Sequence, residues 1–490
     1  MIAAHLFALL AATLVATHVY AFPYFSGGST VRAERSFSLT NRFADPWVNN
    51  VFSDNILLTL ARMDGNITKP ADIRWDEVTK PQTFSFSLAP GEVFSFHDDV
   101  LDQYKGKPIK TPNSHFNYRF DIQIFKYTNE FFKAVETRPP DIFAGSCYVW
   151  NKNLVLLVSK FLKKEFPKCI TVMGGLAFPL DTRRQELFFS DNPYVDFFIP
   201  YDGEIGFGNF LKQYLLLGDK IKSESEAIDG CLYLDKNNLL VSGRKIERPR
   251  DLDIFTSPYL TGLFDCFFKD GKLSPMLQVV RGCPFTCLYC WASNEQNRCI
   301  SFFSYERVRD ELYYVAQKVQ KNNIFDLVFS DSNFGSYESD KKIMDIVYEL
   351  QQQFNYPRLF FTNFGNVNSA ELVRNSSKIK GVTYCFSIQS TDPQILKNVK
   401  RKVPYFNELS EYTKAVHAIG KCACSEIITG MPYETRETHM KTIRDLLDCG
   451  FDFIDPFTFM LLDGTELNSE EANQKFQYDI RYRLVARNFG

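Results

Sequence analysis

The chain has 490 residues, of which 45% are hydrophobic and 23% are charged, and its formal net charge is −2. These values are typical of globular protein, and the length predicts two to four domains. The nearly balanced charge gives no indication of nucleic acid as a partner. The 12 cysteines follow no regular disulfide framework, which favours a reducing compartment and a cytoplasmic protein.

The N-terminus carries an apolar run over residues 2–22, within a predicted first segment 1–25. The run is about long enough to span a bilayer. Val19-Tyr20-Ala21 is typical of a signal-peptidase site, which indicates export. Arg32 and Arg35 follow the run, however, and would keep the body of a membrane-anchored chain in the cytoplasm. Export, anchoring and a buried soluble helix all stay open.

Residues 26–112 are predicted to form a separate small α+β region. Alternating residues predict strands at 35–43 and 84–88, and a helix is expected at 48–63. The stretch at 88–97 resembles the start of the VanW-like domains of bacterial envelope proteins. That resemblance implies no catalytic residue.

Strands and helices alternate from residue 113 to 250, the second predicted domain. Helices are expected at 121–136, 153–166 and 205–217, and strands at 141–150, 169–173 and 193–200. This alternation predicts a Rossmann-like, doubly wound α/β sheet, whose ligands bind beyond the carboxyl ends of the strands. The residues expected at those ends are Gly145, Ser146, Gly174, Gly175, Gly203 and Glu204.

A connector at 251–274 leads into a third domain, 275–490, in which the alternation resumes. Strands are predicted at 276–280, 326–330, 359–362, 381–388, 424–429 and 451–459, with helices between them. Six strand–helix repeats predict a partial (β/α)6 TIM-type barrel. Chemistry in such barrels takes place at the carboxyl ends of the strands.

A cysteine-rich loop, residues 281–291, follows the first strand of this barrel. Cys283, Cys287 and Cys290 form a C-x3-C-x2-C array in it. Three thiolates leave one iron of an iron–sulfur cluster without a protein ligand, whereas four would close the site. Cys299 is the candidate for a fourth ligand, although it lies farther along the chain.

Two other interpretations of the cysteines stay open, namely a zinc site completed by a histidine and three unconnected thiols. The chain has no histidine between His115 and His417, which disfavours a local zinc finger.

The array, with Arg281-Gly282 before it and the aromatic Tyr289 and Trp291 around its last cysteine, resembles that of the radical S-adenosylmethionine (SAM) enzymes. In that family the three cysteines bind a [4Fe–4S] cluster, and SAM chelates the fourth iron. An electron from the cluster cleaves SAM to a 5′-deoxyadenosyl radical. The resemblance therefore also implies an electron donor such as flavodoxin or ferredoxin.

The resemblance further implies a SAM-binding set at the strand ends of the barrel. Its members are Asp331, Asn333, Gln389, Ser390, Arg401, Glu426, Gly430 and Glu434. Gly430-Met-Pro-Tyr-Glu-Thr is similar to the Gly-x-Pro-Gly-Glu-Thr motif of the family, with Tyr433 in place of the second glycine. Each residue alone could instead be a capping or surface residue.

Residues 113–250 resemble the cobalamin-binding domain that precedes the radical core in one subgroup. By this resemblance, Ser146 and the Gly174-Gly175 pair would border the nucleotide tail of cobalamin, and Gly203-Glu204 would end the last strand. The first strand of that domain, with its Asp-x-His-x-x-Gly segment, is missing, so no histidine is placed to ligate cobalt. The glycines could instead serve only as helix caps and turns.

Taken together, the resemblances imply a cobalamin-dependent methyltransferase that acts on an unknown substrate. The alternative is a non-catalytic envelope-associated protein in which the radical SAM portion is degenerate or mis-joined.

Overall fold

The computed structural model describes residues 85–86, 122–269, 271–364, 369–403 and 406–480. The apolar run at 2–22 and nearly all of the VanW-like region lie outside these residues, so both stay predictions. Strand β1 (Ser85–Phe86) pairs antiparallel with β2 (Ile122–Gln123). Within the described ranges, no helix is long and apolar enough to cross a membrane.

The first α/β unit is built on a five-stranded sheet. Its strands are β3 (Ile142–Ser146), β4 (Ile170–Gly175), β5 (Phe197–Pro200), β6 (Leu232–Leu234) and β7 (Leu240–Ser242), in that spatial order. β3, β4 and β5 are parallel, and β6 and β7 form an antiparallel hairpin at the edge. Every residue of β4 is buried, because a central parallel strand is covered on both faces.

Four helices cover this sheet: α1 (Thr128–Thr137), α2 (Lys152–Glu165), α3 (Thr182–Asp191) and α4 (Gly203–Leu217). The predicted helix at 121–136 is wrong in its first part, because the helix begins at Thr128 and Ile122–Gln123 pairs with another strand. Helix α3 was not predicted. Its signals are the capping Asp181, which accepts from the Arg184 N–H at 2.8 Å, and the buried Phe188 and Phe189.

The second α/β unit contains two three-stranded parallel sheets. One has the order β12 (Leu359–Phe361), β11 (Asp326–Phe329), β8 (Met276–Leu277), and the other β13 (Tyr384–Gln389), β14 (Ala423–Thr429), β15 (Phe453–Thr458). A single parallel bridge between Phe360 and Val382 joins them. The expected partial barrel stays a prediction, because, within the described residues, β12 and β13 share no ladder beyond that bridge. The expected α/β class is confirmed.

The remaining elements of this unit lie mainly outside its two sheets. They are α5 (Asp265–Phe268), the hairpin strands β9 (Val280–Arg281) and β10 (Ser301–Phe302), α6 (Tyr305–Val319), α7 (Glu338–Phe354), α8 (Ser369–Ser376), α9 (Pro393–Asn398), α10 (Phe406–Ala418), α11 (Arg436–Asp448) and α12 (Glu470–Phe476). The predicted strand at 276–280 is thus divided between β8 and β9, which belong to different sheets.

The main core lies between the strands of the second unit and their helices. Leu327, Phe329 and Phe360 belong to this core, whereas Met276, Val328 and Phe361 form a separate cluster on the other face of the sheet. The two-residue alternation of the strands therefore divides the helix-facing side chains from an interior layer.

Gly145 supplies a test of packing in the first unit. A Cβ at this position would lie 2.3 Å from Val155 Cγ1 on α2. Gly145→Ala should lower the free energy of unfolding by about 1–3 kcal/mol, because the added carbon overpacks the contact between β3 and α2. Adding Val155→Ala should recover part of this loss. The free energy of unfolding is measured by urea unfolding of the full chain without cofactors. Val155→Ala alone is the control. Wild-type stability in Gly145→Ala would contradict the packing role.

Candidate active site

The cysteine loop begins with a backbone conformation that favours glycine. Gly282 has φ 117°, and a Cβ there would lie 2.5 Å from the carbonyl oxygen of Cys299 and 2.8 Å from that of Asn297. The Cys283 N–H donates to the same Asn297 oxygen at 2.7 Å. These contacts fold the loop tightly against the segment that follows it.

Two side chains donate hydrogen bonds to the sulfurs of this loop. Asn333 Nδ2, beyond the end of β11, lies 3.1 Å from Cys283 Sγ. Arg401 Nη1, beyond α9, lies 3.6 Å from Cys287 Sγ. Hydrogen bonds to sulfur tune the reduction potential of a bound cluster.

The third thiol is held in its protonated form. Burial raises the pKa of Cys290 to about 11, with a smaller contribution from the neighbouring Cys283 and Cys287. A metal centre must therefore displace a proton from Cys290 when it binds, since thiolate is the ligand form.

The zinc interpretation of the three cysteines gains no support from the described residues. In the part of the chain that the structure describes, no group of three or more His, Cys, Asp or Glu side chains could hold one metal ion. A mononuclear zinc site needs its ligand atoms about 2.0–2.3 Å from the ion, whereas the thiolates of a cluster bind different irons and stand farther apart. Cys299, the candidate for a fourth ligand, has other partners. Its Sγ lies 3.9 Å from Arg248 O and 3.9 Å from Ser301 Oγ.

Apolar side chains cover one side of the loop. Leu288 and Tyr289 pack against a cluster that includes Val399, Met431 and Leu467. The Leu288 N–H donates to Val399 O at 3.0 Å, and Leu288 O accepts from the Leu467 N–H at 3.1 Å. This packing limits the access of water to the loop.

Polar groups without partners lie close to the carboxyl end of β13. Gln389, with φ 74°, has a buried Oε1 that has no hydrogen-bond partner within the described residues, and the same is true of Arg401 Nε. Arg401 also donates to Ser387 O, and Ser387 Oγ donates to Glu426 Oε2 at 2.5 Å. Burial raises the pKa of Glu426. An unsatisfied buried polar group costs about 1–3 kcal/mol. Gln389 Oε1 and Arg401 Nε therefore indicate a place for a polar ligand.

Asp331, a residue of the expected SAM set, has backbone partners in the structure. Its carboxylate accepts from the N–H groups of Val279 at 3.1 Å and Val280 at 2.6 Å, and the residue is only 1% exposed. Burial raises its pKa to about 8, although these two N–H groups oppose the rise. Asp331 therefore holds the chain between β8 and β9, where the cysteine loop begins.

Three further residues of the expected SAM set have partners in the surrounding loops. Ser390 is fully buried, where its Oγ accepts from the Asp392 N–H at 3.2 Å. Glu434 closes the turn around Gly430, since it accepts the Gly430 N–H and pairs with His439 Nδ1 at 3.0 Å. Gly430 itself, with φ 92°, leaves open space, because a Cβ there would meet no atom closer than 3.8 Å.

Several residues expected at the cobalamin edge have structural partners of their own. A Cβ on Gly175, at φ 132°, would lie 2.7 Å from Cys147 O, and Gly145 packs against α2 as described above. Ser146 Oγ accepts from Asn151 Nδ2 at 2.9 Å, and Gly174 pairs with Ser146 across the sheet. These contacts are compatible with packing and turn roles for Gly145 and Gly175, and their role at a cobalamin site stays a prediction.

The same edge also carries a cavity and an unpartnered carboxylate oxygen. A cavity of about 160 Å³ lies beside Gly175, Tyr201 and the β6–β7 hairpin, and Arg244 and Lys245, just beyond β7, also line it. Gly203 and Glu204 begin α4, and Glu204 Oε2 is buried with no partner among the described residues.

Charged residues connect this edge directly to the cysteine loop. Glu204 Oε1 accepts from Arg281 Nη1 at 2.9 Å. Asp202 accepts from Arg248 Nη2 at 3.0 Å, while Arg248 Nη1 donates to Cys299 O at 3.1 Å. Against the effect of burial, Arg281 and Arg248 lower the pKa of Asp202. The sequence singled out Arg281 and Glu204 separately, but nothing in it paired them.

A second connection lies on the other side of the loop. Trp291 packs edge-on against the stacked rings of Tyr148 and Trp150, with centroid distances of 6.4 and 6.1 Å. Trp291 Nε1 donates to Asp463 O, and the Asp463 carboxylate pairs with Lys152 of α2. Sequence reasoning missed Asp463, which carries no motif.

Comparisons with known proteins agree with this geometry. Residues 277–446 match the family model of the Radical SAM superfamily. This part of the chain is therefore a radical SAM domain, and it contains all three cysteines of the array.

Over 356 residues, the chain is 29% identical to the cobalamin-dependent radical SAM methyltransferase TokK of Streptomyces tokunonensis, covering 70% of this chain and 50% of TokK. Over 382 residues, it is 28% identical to the 2-(S-pantetheinyl)-carbapenam-3-carboxylate methyltransferase of Streptantibioticus cattleyicolor, covering 72% and 52%. The chain thus spans about half the length of these curated relatives. The fold is similar to that of the radical SAM methyltransferase TsrM from Kitasatospora setae, with a TM-score of 0.52 and 14% identity over 70% of this chain and 67% of TsrM.

The buried Asp331 gives a prediction on pH. Its pKa rises from an ordinary 3.8 to about 8, so the folded state favours the protonated form. This stabilisation is complete below about pH 4 and is lost as the pH rises towards 8. Relative to Asp331→Asn, the wild type should lose free energy of unfolding over this range by at most ~1.4 kcal/mol per pH unit.

Urea unfolding of the chain without cofactors at pH 5 to 8 measures this difference. Asp196→Asn is the control, because Lys222 and Lys163 lower the pKa of Asp196 against burial, so its contribution should be constant over that range. A difference between wild type and Asp331→Asn that does not vary with pH would contradict the assignment.

Proposed function

We propose that this protein is a cobalamin-dependent radical SAM methyltransferase that acts on an organic substrate. The observation that carries the proposal is the C-x3-C-x2-C loop within the matched radical SAM domain, with Asn333 and Arg401 donating to two of its sulfurs. When bound, a [4Fe–4S] cluster supplies the electron that cleaves SAM to a 5′-deoxyadenosyl radical, and cobalamin supplies the methyl group.

Cys283, Cys287 and Cys290 are the proposed cluster ligands. Three thiolates suit a cluster with one open iron, and their hydrogen-bond donors come from two different strand–helix connections. Asn333 acts in this proposal through Cys283 rather than as a direct ligand of SAM. The apolar cover over Leu288 and Tyr289 supports the exclusion of water from the loop.

The residues proposed to bind SAM are Gln389, Arg401, Glu426 and Gly430. Arg401 contacts a cluster ligand and retains an unsatisfied Nε, and a guanidinium is well suited to a carboxylate such as that of SAM. Gln389 Oε1 and Glu426 provide acceptors for amino or hydroxyl groups, and Gly430 leaves room for a ligand. Asp331, Ser390 and Glu434 are assigned to building the rim, because their polar atoms already have partners there.

Cobalamin is proposed to bind at the carboxyl edge of the first sheet, against Gly174 and Glu204. The periphery of its corrin ring carries primary amides, whose N–H groups are suitable donors to the unpartnered Glu204 Oε2. The adjacent cavity of about 160 Å³ is large enough for only a part of so large a molecule.

We further propose that the chain divides into the cobalamin-side domain 113–250, the connector 251–274 and the radical SAM domain 275–490. Reduction requires an external one-electron donor such as flavodoxin or ferredoxin. The alternative of a non-catalytic envelope protein is not favoured, because the cysteine loop and its sulfur donors are intact.

The cluster assignment is tested by iron content. After anaerobic reconstitution, the wild type should hold about four irons per chain and should form 5′-deoxyadenosine from SAM on reduction. The Cys283, Cys287 and Cys290 triple Ala variant should lose both, because it removes every proposed ligand. Cys299→Ala is the matched control and should retain both. Wild-type iron content in the triple variant would refute the site.

The role of Arg401 is tested by SAM affinity. Arg401→Ala should weaken SAM binding by about 10- to 100-fold, since a hydrogen bond to a charged group contributes about 1.5–3 kcal/mol. Iron content should be unchanged, because Arg401 is not a cluster ligand. Lys402→Ala, an exposed neighbour, is the control for charge. Equal SAM dissociation constants in wild type and Arg401→Ala, measured without reductant, would rule this role out.

A further inference from the structure

The first sheet and the cysteine loop share a buried network of four charged residues. These are Asp202, Glu204, Arg248 and Arg281. The side chains of Arg248 and Glu204 are 1% and 2% exposed, and that of Arg281 is 11% exposed. The side chain of Asp202 is 19% exposed. The other three depend on charged partners for solvation, because a buried charge without a partner is costly.

Two routes of direct contact lead through this network from the sheet edge to Cys283. In the first, Glu204 Oε1 accepts from Arg281, which precedes Gly282 and Cys283 in the chain. In the second, Asp202 accepts a hydrogen bond from Arg248, and Arg248 also donates to Asn297 Oδ1. The backbone oxygen of Asn297 then accepts from the Cys283 N–H. Both routes end at the first cysteine of the array.

Glu204 differs from the other members of the network in one respect. Its Oε1 is fixed by Arg281, whereas its Oε2 is buried and has no partner within the described part of the chain. A buried acceptor without a donor is costly, and a ligand that supplies an N–H would relieve this cost. The same carboxylate would then bond to the ligand and to Arg281.

We infer that Glu204 is a positioning residue that couples a corrinoid at the sheet edge to the cysteine loop through Arg281. This inference rests on the proposed function. Because coupling between two binding sites is reciprocal, SAM at the cluster strengthens corrinoid binding by the same factor as the corrinoid strengthens SAM binding. Neither ligand needs to contact the other.

The experiment measures this coupling without turnover. The full chain, reconstituted with its cluster and kept free of reductant, is titrated with hydroxocobalamin in the absence and presence of saturating SAM. The wild type should bind hydroxocobalamin about 5- to 50-fold more tightly with SAM present. In Glu204→Gln, which keeps the shape but not the charge, hydroxocobalamin should still bind, and the effect of SAM should fall below about twofold.

Two further variants guard against a general loss of structure. Asp196→Asn removes a carboxylate paired with two lysines just before β5, away from the loop, and should keep the wild-type coupling factor. Arg281→Lys keeps the charge but not the planar fork, and should reduce the factor even if Glu204→Gln does not fold.

The possible outcomes separate the two proposals. An unchanged coupling factor in Glu204→Gln or in Arg281→Lys, or a wild type that binds both ligands independently, would overturn the inference and leave the proposed function intact. A wild type that binds SAM but no hydroxocobalamin would overturn the cobalamin part of the proposed function, and the inference with it.

Discussion

The close approach of Gly282 to two carbonyl oxygens is the constraint on which the candidate site depends. A side chain at this position would collide with Asn297 O and Cys299 O, so the loop could not fold back on itself. The fold-back places the Cys283 N–H on Asn297 O and brings Arg248 to the same segment. The first cysteine is therefore fixed by backbone contacts that do not require a metal centre.

The site is held from both α/β units rather than from the radical SAM domain alone. Arg281 pairs with Glu204 on one side of the cysteine loop, and Trp291 packs on Tyr148 and Trp150 on the other. Buried charges and tightly packed rings permit few alternative arrangements. Any group bound at the sheet edge thus lies in one continuous structure with the cysteines.

Some of the expected ligands already have partners within the protein, and the reason is geometric. Asp331 follows β11 as expected, and its carboxylate accepts from the N–H groups of Val279 and Val280, where the chain passes from β8 into β9. A polar residue at a strand end can face the ligand or the neighbouring chain, and strand position alone does not distinguish them. Gly145 also lies near a predicted ligand edge but contacts the protein, because it packs against Val155 of α2.

The sequence alone determined the local features of this protein. The alternation of strands and helices predicted the α/β class and most element positions, and the spacing of Cys283, Cys287 and Cys290 predicted one compact loop, because both depend on neighbouring residues. Only the tertiary structure paired Glu204 with Arg281, 77 positions apart. It also brought Arg401 within hydrogen-bond distance of the Cys287 sulfur. Such contacts depend on how separate elements pack, and no local pattern records which buried charge will meet which partner.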